Sequence, residues 1–282
     1  MNGGAAFLAR ARGAAVRRAA DRLREVYGLP RRHRRLPPLD ELVLTILSQN
    51  TTDRNSHAAF AVLKRTYPRW EAALAAGRAA IERAIRPAGL ARTKSRTILE
   101  ALRRLHAERG RLDLGFLRGL EAGEARRYLT SFRGVGEKTA CCVLLFSCGL
   151  PAFPVDTHIH RVTRRLGWIP DGTTRERSHR ILGGLVPPSR FLEVHVNLIT
   201  LGRRLCRPRR PRCPICPLRR LCPAAAAWPA GGARPILPRG RWGSASRGVA
   251  GNARTGQAGA RSGRRSRARV GAHRRPQGPR GA

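Results

Sequence analysis

A lysine, an aspartate and four cysteines are the residues through which this chain could do chemistry. The lysine is Lys138 in "SFRGVGEKTA", just after the turn Gly134-Val135-Gly136. The chain has 57 Lys+Arg, but only Lys64, Lys94 and Lys138 are lysines. Arginine holds a phosphate at least as well as lysine does. It cannot serve as an amine nucleophile, because it stays protonated up to a pKa above about 12. A lysine is needed where a free amine must add to carbon, as in Schiff-base formation. The start of a helix and partial burial both favour the uncharged amine. Lys138 is therefore read as a candidate nucleophile, with a chance surface lysine as the alternative. Gly134 and Gly136 allow backbone angles closed to other residues. The turn and the helix start after it, Val135 and Thr139 included, can offer N–H donors to a phosphate. A plain interhelical turn is the alternative.

The aspartate is Asp156 in "PVDTHIHRV". By itself it reads as an N-cap. Gly149, Pro151 and Pro154 forbid one continuous helix from Lys138 to Asp156 and turn the chain back. If that reversal sets Asp156 beside Lys138, the pair offers an amine and a carboxylate. Such a pair suits attack on an electropositive sugar carbon, with the acid as general base or electrostatic stabiliser. His158 and His160 read as packing or surface residues. Cys206, Cys213, Cys216 and Cys222 are spaced C-x6-C-x2-C-x5-C. That density points to a metal centre rather than disulfides. The spacing leaves zinc and an iron–sulfur cluster both open. Between the first two cysteines lies "RPRRPR", in which Arg207, Arg209 and Arg210 could face a phosphate backbone. Cys141, Cys142 and Cys148 lie in an apolar stretch and read as buried core thiols.

The elements that must position these residues read as helices. Candidates lie at 39–47, 53–67, 70–76, 79–86, 92–109, 122–131, 137–148, 157–166, 174–185 and 190–205, with Asp53 as the N-cap of the second. Val16, Ala19, Ala20, Leu23, Val26 and Tyr27 form a further helical stripe near the N-terminus. Strand-like alternation is nearly absent, so the expected fold is all-α with short loops.

The formal net charge is +40. Residues 223–282 hold 13 of the arginines and none of the 17 acids, leaving about +27 on the rest. A body so basic calls for a polyanion, with nucleic acid ahead of a membrane surface. The tail is rich in Gly, Ala, Ser and Pro without periodicity and is expected to be disordered. No run of 18 apolar residues suggests a membrane span. The first 20 residues hold several arginines and no acid, as a transit peptide does. The helical stripe continues past Asp21, so an amphipathic helix is expected there. The setting would be the cytoplasm, at the nucleoid, in a bacterium, with organellar targeting as the alternative.

Together these features resemble the endonuclease III branch of the helix–hairpin–helix DNA glycosylases. The likeness rests on "FRGVGEKTA", on "PVDTHIHRV" starting 16 residues after the lysine, and on the cysteine pattern. "LTILSQNTTDRN" and "IRPAGLARTKSRTI" are also similar, so the resemblance covers roughly residues 10 to 222. It implies two helical domains with a cleft between them. Residues 39–150 would form a six-helix barrel carrying the hairpin. Residues 1–38 and 151–222 would form a domain with a 4Fe–4S cluster on the four cysteines. It implies a monomer acting on double-stranded DNA with damaged bases or abasic sites. Lys138 would attack the sugar, expel an oxidised pyrimidine and form an imine, with Asp156 assisting, and β-elimination would cut the strand 3′ to the site. Gln49 or Asn50 would fill the gap left by the flipped base. The hairpin departs from the family in having Arg133 where proline is common and Glu137 where a basic or neutral residue is common. An adenine-type glycosylase without the imine step and a zinc-stapled, non-catalytic nucleic-acid-binding protein are the alternatives.

Overall fold

The computed structural model describes residues 3–30 and 35–227. Its described elements are helical, as the periodicity predicts. Helix α1 is Gly3–Tyr27. Helix α2, Pro38–Leu47, opens on a proline at its first position and carries Asp40 and Glu41 in its first turn, where the helix dipole favours acids. Helix α3 is Asp53–Thr66, and its N-cap is Thr52, whose hydroxyl accepts from Asn55 N at 3.3 Å. The expectation that Asp53 caps this helix is thus wrong. Asp53 is the first helical residue and pairs with Arg203 instead. Helix α4, Trp70–Ala84, is bent at Gly77, whose φ of 76° breaks the helical run where the sequence suggests two segments. Helix α5 is Ala91–Arg109.

Helices α6, Ala122–Thr130, and α7, Glu137–Cys142, flank the glycine turn. The chain continues beyond α7 as a wider π turn, Val143–Cys148, and stops at Gly149 with φ 74°. After the proline-rich reversal come α8, Thr157–Arg165, α9, Arg175–Leu185, and α10, Phe191–Arg204. The segment with the last three cysteines is a series of short 3-10 turns. Pro223–Ala227, which composition assigns to the tail, also form such a turn, and Ala225 is buried. The rest of the expected disordered tail lies outside the described residues.

Two apolar cores organise these helices. Residues from α2 to α7 and the π turn, from Leu39 to Ala152, form the first. The second combines Val16, Ala19, Ala20 and Leu23 of α1 with residues from Phe153 to Leu218. Burying a side chain such as Leu23 contributes roughly 1.5–3 kcal/mol, so the stripe on α1 is a docking face. Ion pairs reinforce it. Arg24 holds the buried Glu193 of α10 through Nε at 3.0 Å and through a second, shorter contact. Arg190 bonds Asp21 at 2.6 Å and Glu193 at 2.8 Å. Helices α8 and α10 approach closely at Gly202, where a Cβ would meet His158 Cβ at 2.9 Å.

Candidate active site

The hairpin turn is shaped by its glycines. Gly134 has φ 77°, and a Cβ there would sit 2.9 Å from Thr97 Oγ1 of α5. Both Gly134 and Gly136 are exposed. Gly136 offers no side chain to cap α7, so the first-turn N–H groups stay open to an external acceptor. Val135 does not fit the phosphate-binding role expected of it. Its side chain is buried in the first core and its N–H donates to Phe132 O at 3.1 Å. The Thr139 side chain is buried too and meets Gln49 Nε2 at 3.4 Å, so only its backbone lies at the helix start. Glu137 faces Arg126 of α6 at 3.6 Å and Arg133 faces Glu100 of α5 at 3.5 Å. The two hairpin residues that depart from the family pattern thus have partners on neighbouring helices.

Lys138 is half-buried in the first turn of α7. Asp156 caps α8, with Oδ1 accepting from Ile159 N at 2.7 Å. The reversal brings both to the same neighbours. Both charges act on the buried Cys142 thiol, and both act on the buried His195 ring. Burial pushes the Cys142 thiol up to about 11, so it stays protonated and is no rival nucleophile. Burial pushes His195 down to about 4, so its imidazole is neutral at pH 7. His195 Nδ1 lies 3.0 Å from Pro154 O and His179 Nδ1 lies 3.1 Å from Phe153 O. Two buried histidines thereby hold the loop that delivers Asp156. Glu41 of α2 also senses Lys138; its burial raises its carboxyl above the usual range, and Thr45 Oγ1 meets it at 3.3 Å. Neither His195 nor Glu41 stands out in the sequence. Each sits in an apolar helical stretch, and only packing brings it to Lys138. His158 and His160 are half-buried and bonded to Arg161 and to Thr173 O, as packing residues are.

The loop after α2 touches the hairpin. Gln49 Nε2 lies 3.3 Å from Gly134 O and so ties the α2–α3 loop to the turn. Asn50 is exposed, with φ 52°. Leu90, which no local sequence pattern marks, is 58% exposed with φ 50° just before α5. Left-handed backbone costs a residue with a side chain roughly 1–2 kcal/mol. Among the described residues only Asn50, Leu90 and Arg210 carry it without being glycine. Such strain gathers at functional loops. Asp53 of α3, which senses Lys138, binds Arg203 of α10, which senses Asp156, at 2.6 and 3.1 Å. This pair links the two cores beside the site.

Helix α8 connects Asp156 to the cysteine loop. Arg161 Nε donates to Cys206 O at 2.9 Å. Arg165 donates to Arg207 O at 2.8 Å and Pro208 O at 3.0 Å, and lies 3.3 Å from Cys206 Sγ. Arg207, Arg209 and Arg210 are exposed on the loop so held. Cys206, Cys216 and Cys222 pack against the second core, and the four thiols act electrostatically on one another. Among the described residues no three His, Cys, Asp or Glu side chains converge around a single metal ion. The four cysteines are half-buried, and four thiols along one short segment have the chemistry to ligate either zinc or an iron–sulfur group.

Residues 43–188 match the family model described as HhH-GPD superfamily base excision DNA repair protein. The chain belongs to that superfamily. A protein of Arabidopsis thaliana provisionally named a DNA glycosylase is 44% identical over 165 residues, 58% of this chain and 56% of that protein. The HhH-GPD chain thus spans little more than half the length of that relative. Endonuclease III of Thermotoga maritima is 32% identical over 193 residues, 68% of this chain and 86% of that protein. A solved structure of a trapped endonuclease III–DNA covalent intermediate, an estranged-adenine complex, matches with TM-score 0.65 and 28% identity, covering 76% of this chain and 97% of that one. The all-helical fold of this HhH-GPD chain is that of endonuclease III.

Proposed function

We propose that this chain is a bifunctional DNA glycosylase and abasic-site lyase of base excision repair, with oxidised pyrimidines in double-stranded DNA as substrates. One observation carries the reading. Lys138, at the head of the hairpin helix, shares its buried neighbours Cys142 and His195 with Asp156. The likeness to a trapped endonuclease III–DNA covalent intermediate supports it.

The open N–H groups of the hairpin turn would hold a phosphate of the damaged strand. Asn50 and Leu90 would enter the space left when the nucleotide swings out, since exposed side chains beside the site can wedge a base stack. The Asp156 carboxylate takes the proton from the Lys138 ammonium, and once it has passed that proton to the departing base it is again anionic and stabilises positive charge at the sugar. The freed Nζ attacks C1′. The glycosidic bond breaks, and the base leaves with the electron pair and takes up a proton. The ring C1′–O4′ bond then opens, O4′ is protonated, and a C1′=N iminium forms. Loss of a C2′ proton sends that electron pair toward C3′, and the 3′ phosphate departs. Water finally releases the amine, leaving an unsaturated aldehyde on the cut strand. Cys206, Cys213, Cys216 and Cys222 would hold a 4Fe–4S cluster, whose contribution is to fix the arginine loop against the DNA backbone.

Borohydride reduction in the presence of abasic-site DNA tests the reading. Wild-type protein should yield a covalent adduct, while Lys138→Ala and Lys138→Arg should yield none although Lys138→Arg still binds DNA. A folded wild-type protein that gives no adduct rejects the lyase. Purified protein should carry iron and acid-labile sulfide; zinc without sulfide would favour a binding module.

A further inference from the structure

Lys94 is one of three lysines in a chain of arginines, and it is almost fully buried, 2% exposed. Its Nζ donates to Leu47 O at 2.8 Å and to Ala88 O at 2.8 Å. Leu47 ends α2, three residues before Asn50. Its carbonyl is one of those that a helix end leaves without a partner. Ala88 closes the 3-10 turn Arg86–Ala88, two residues before Leu90. The same ammonium therefore grips the roots of the two loops whose exposed residues, Asn50 and Leu90, have left-handed backbones. Burial lowers the Lys94 pKa, and an uncharged amine still has two donors for two carbonyls. A guanidinium would bring five donors to a place with two acceptors and could not lose its charge. Lysine is thus the residue type this position requires.

We infer that Lys94 is a positioning residue that joins the Asn50 loop to the Leu90 loop and fixes the spacing of the two side chains that enter the duplex when a base is flipped out. The inference rests on the glycosylase reading above. Catalysis is sensitive to such spacing, because a shift of about 1 Å in a positioning group can cost roughly a hundredfold in rate. Lys94 touches no reacting atom, so it matters where the duplex must be opened and not where the sugar is already free.

Two substrates separate those situations. One is a duplex with an intact oxidised pyrimidine. The other is a single-stranded oligonucleotide with a preformed abasic site, which needs no wedge. Full-length Lys94→Met and Lys94→Gln, shown to be folded by circular dichroism at the assay temperature, are compared with wild type. The expected result is a single-turnover rate on the duplex lowered by roughly a hundredfold, with borohydride adduct on the single strand close to wild type. Equal losses on both substrates, or no loss on the duplex, would overturn the inference while leaving the lyase reading intact. Failure of both variants to fold at any temperature would also overturn it, since the lysine would then support the fold and not the loops. A wild-type protein that traps neither substrate would reject the lyase reading, and this inference with it.

Discussion

At the scale of single residues, the three lysines show why a chain so rich in arginine keeps any. Lys64 donates to Pro68 O at 2.8 Å, lies over the Trp70 ring at 4.4 Å and faces Asp40 at 3.5 Å, joining α2, α3 and α4. Lys94 is enclosed and Lys138 is half-buried at the start of the hairpin helix. Residue type and position mark Lys138 as the proposed nucleophile, but only the packing shows its buried neighbours Cys142 and His195. His195 makes a testable difference. Below about pH 6.5 the unfolded chain takes up a proton that the folded protein refuses until about pH 4. The stability linked to His195 is complete above that window and is lost as the pH falls through it, by an amount on the order of 3 kcal/mol. Urea unfolding between pH 7 and 4 should show a shallower pH slope in His195→Gln than in wild type. Identical slopes would mean that His195 titrates normally in the folded protein.

At the scale of elements, the hairpin glycines are unequal although the sequence writes them alike. Gly134 has φ 77° and no room for a Cβ beside Thr97, whereas Gly136 has φ −91° and nothing within 4 Å. Gly134→Ala should therefore destabilise the protein by roughly 1–3 kcal/mol, through both strain and overpacking. Gly136→Ala should leave stability almost unchanged. Denaturant titration of the two variants checks this, and equal costs would show that the turn relaxes around either methyl group. Helix positions were legible because apolar spacing and Gly/Pro breaks mark them. The cap of α3 was misread because Thr52 and Asp53 are adjacent and both suit the position; Arg203, 150 residues away, claims the aspartate.

At the scale of the whole molecule, charge sets the terms of binding. With a net charge of +40, affinity for DNA should fall steeply as salt rises, because each phosphate neutralised releases a counterion at a log–log slope of about −0.9. Deleting residues 228–282 removes thirteen arginines. The salt slope should become shallower, while single-turnover chemistry stays close to that of the full chain. A large loss of chemistry would mean that those residues contribute to the site. The cut belongs after Ala227 because Ala225 is packed. Within the body, α8 is the connecting part. Asp156 caps its start, and its Arg161 and Arg165 grip the cysteine loop.

By itself the sequence determined the residue types the chemistry needs and the order of the helices. Both are local properties, written in side-chain type, apolar period and the punctuation of glycine and proline. Only the tertiary structure decided which residues share the site. It brought Lys138 and Asp156 to common buried neighbours, turned Val135 and the Thr139 side chain inward, and set Lys94 between two distant loops. Those outcomes depend on how two apolar cores pack against their own helices, and no local pattern in the chain encodes that packing.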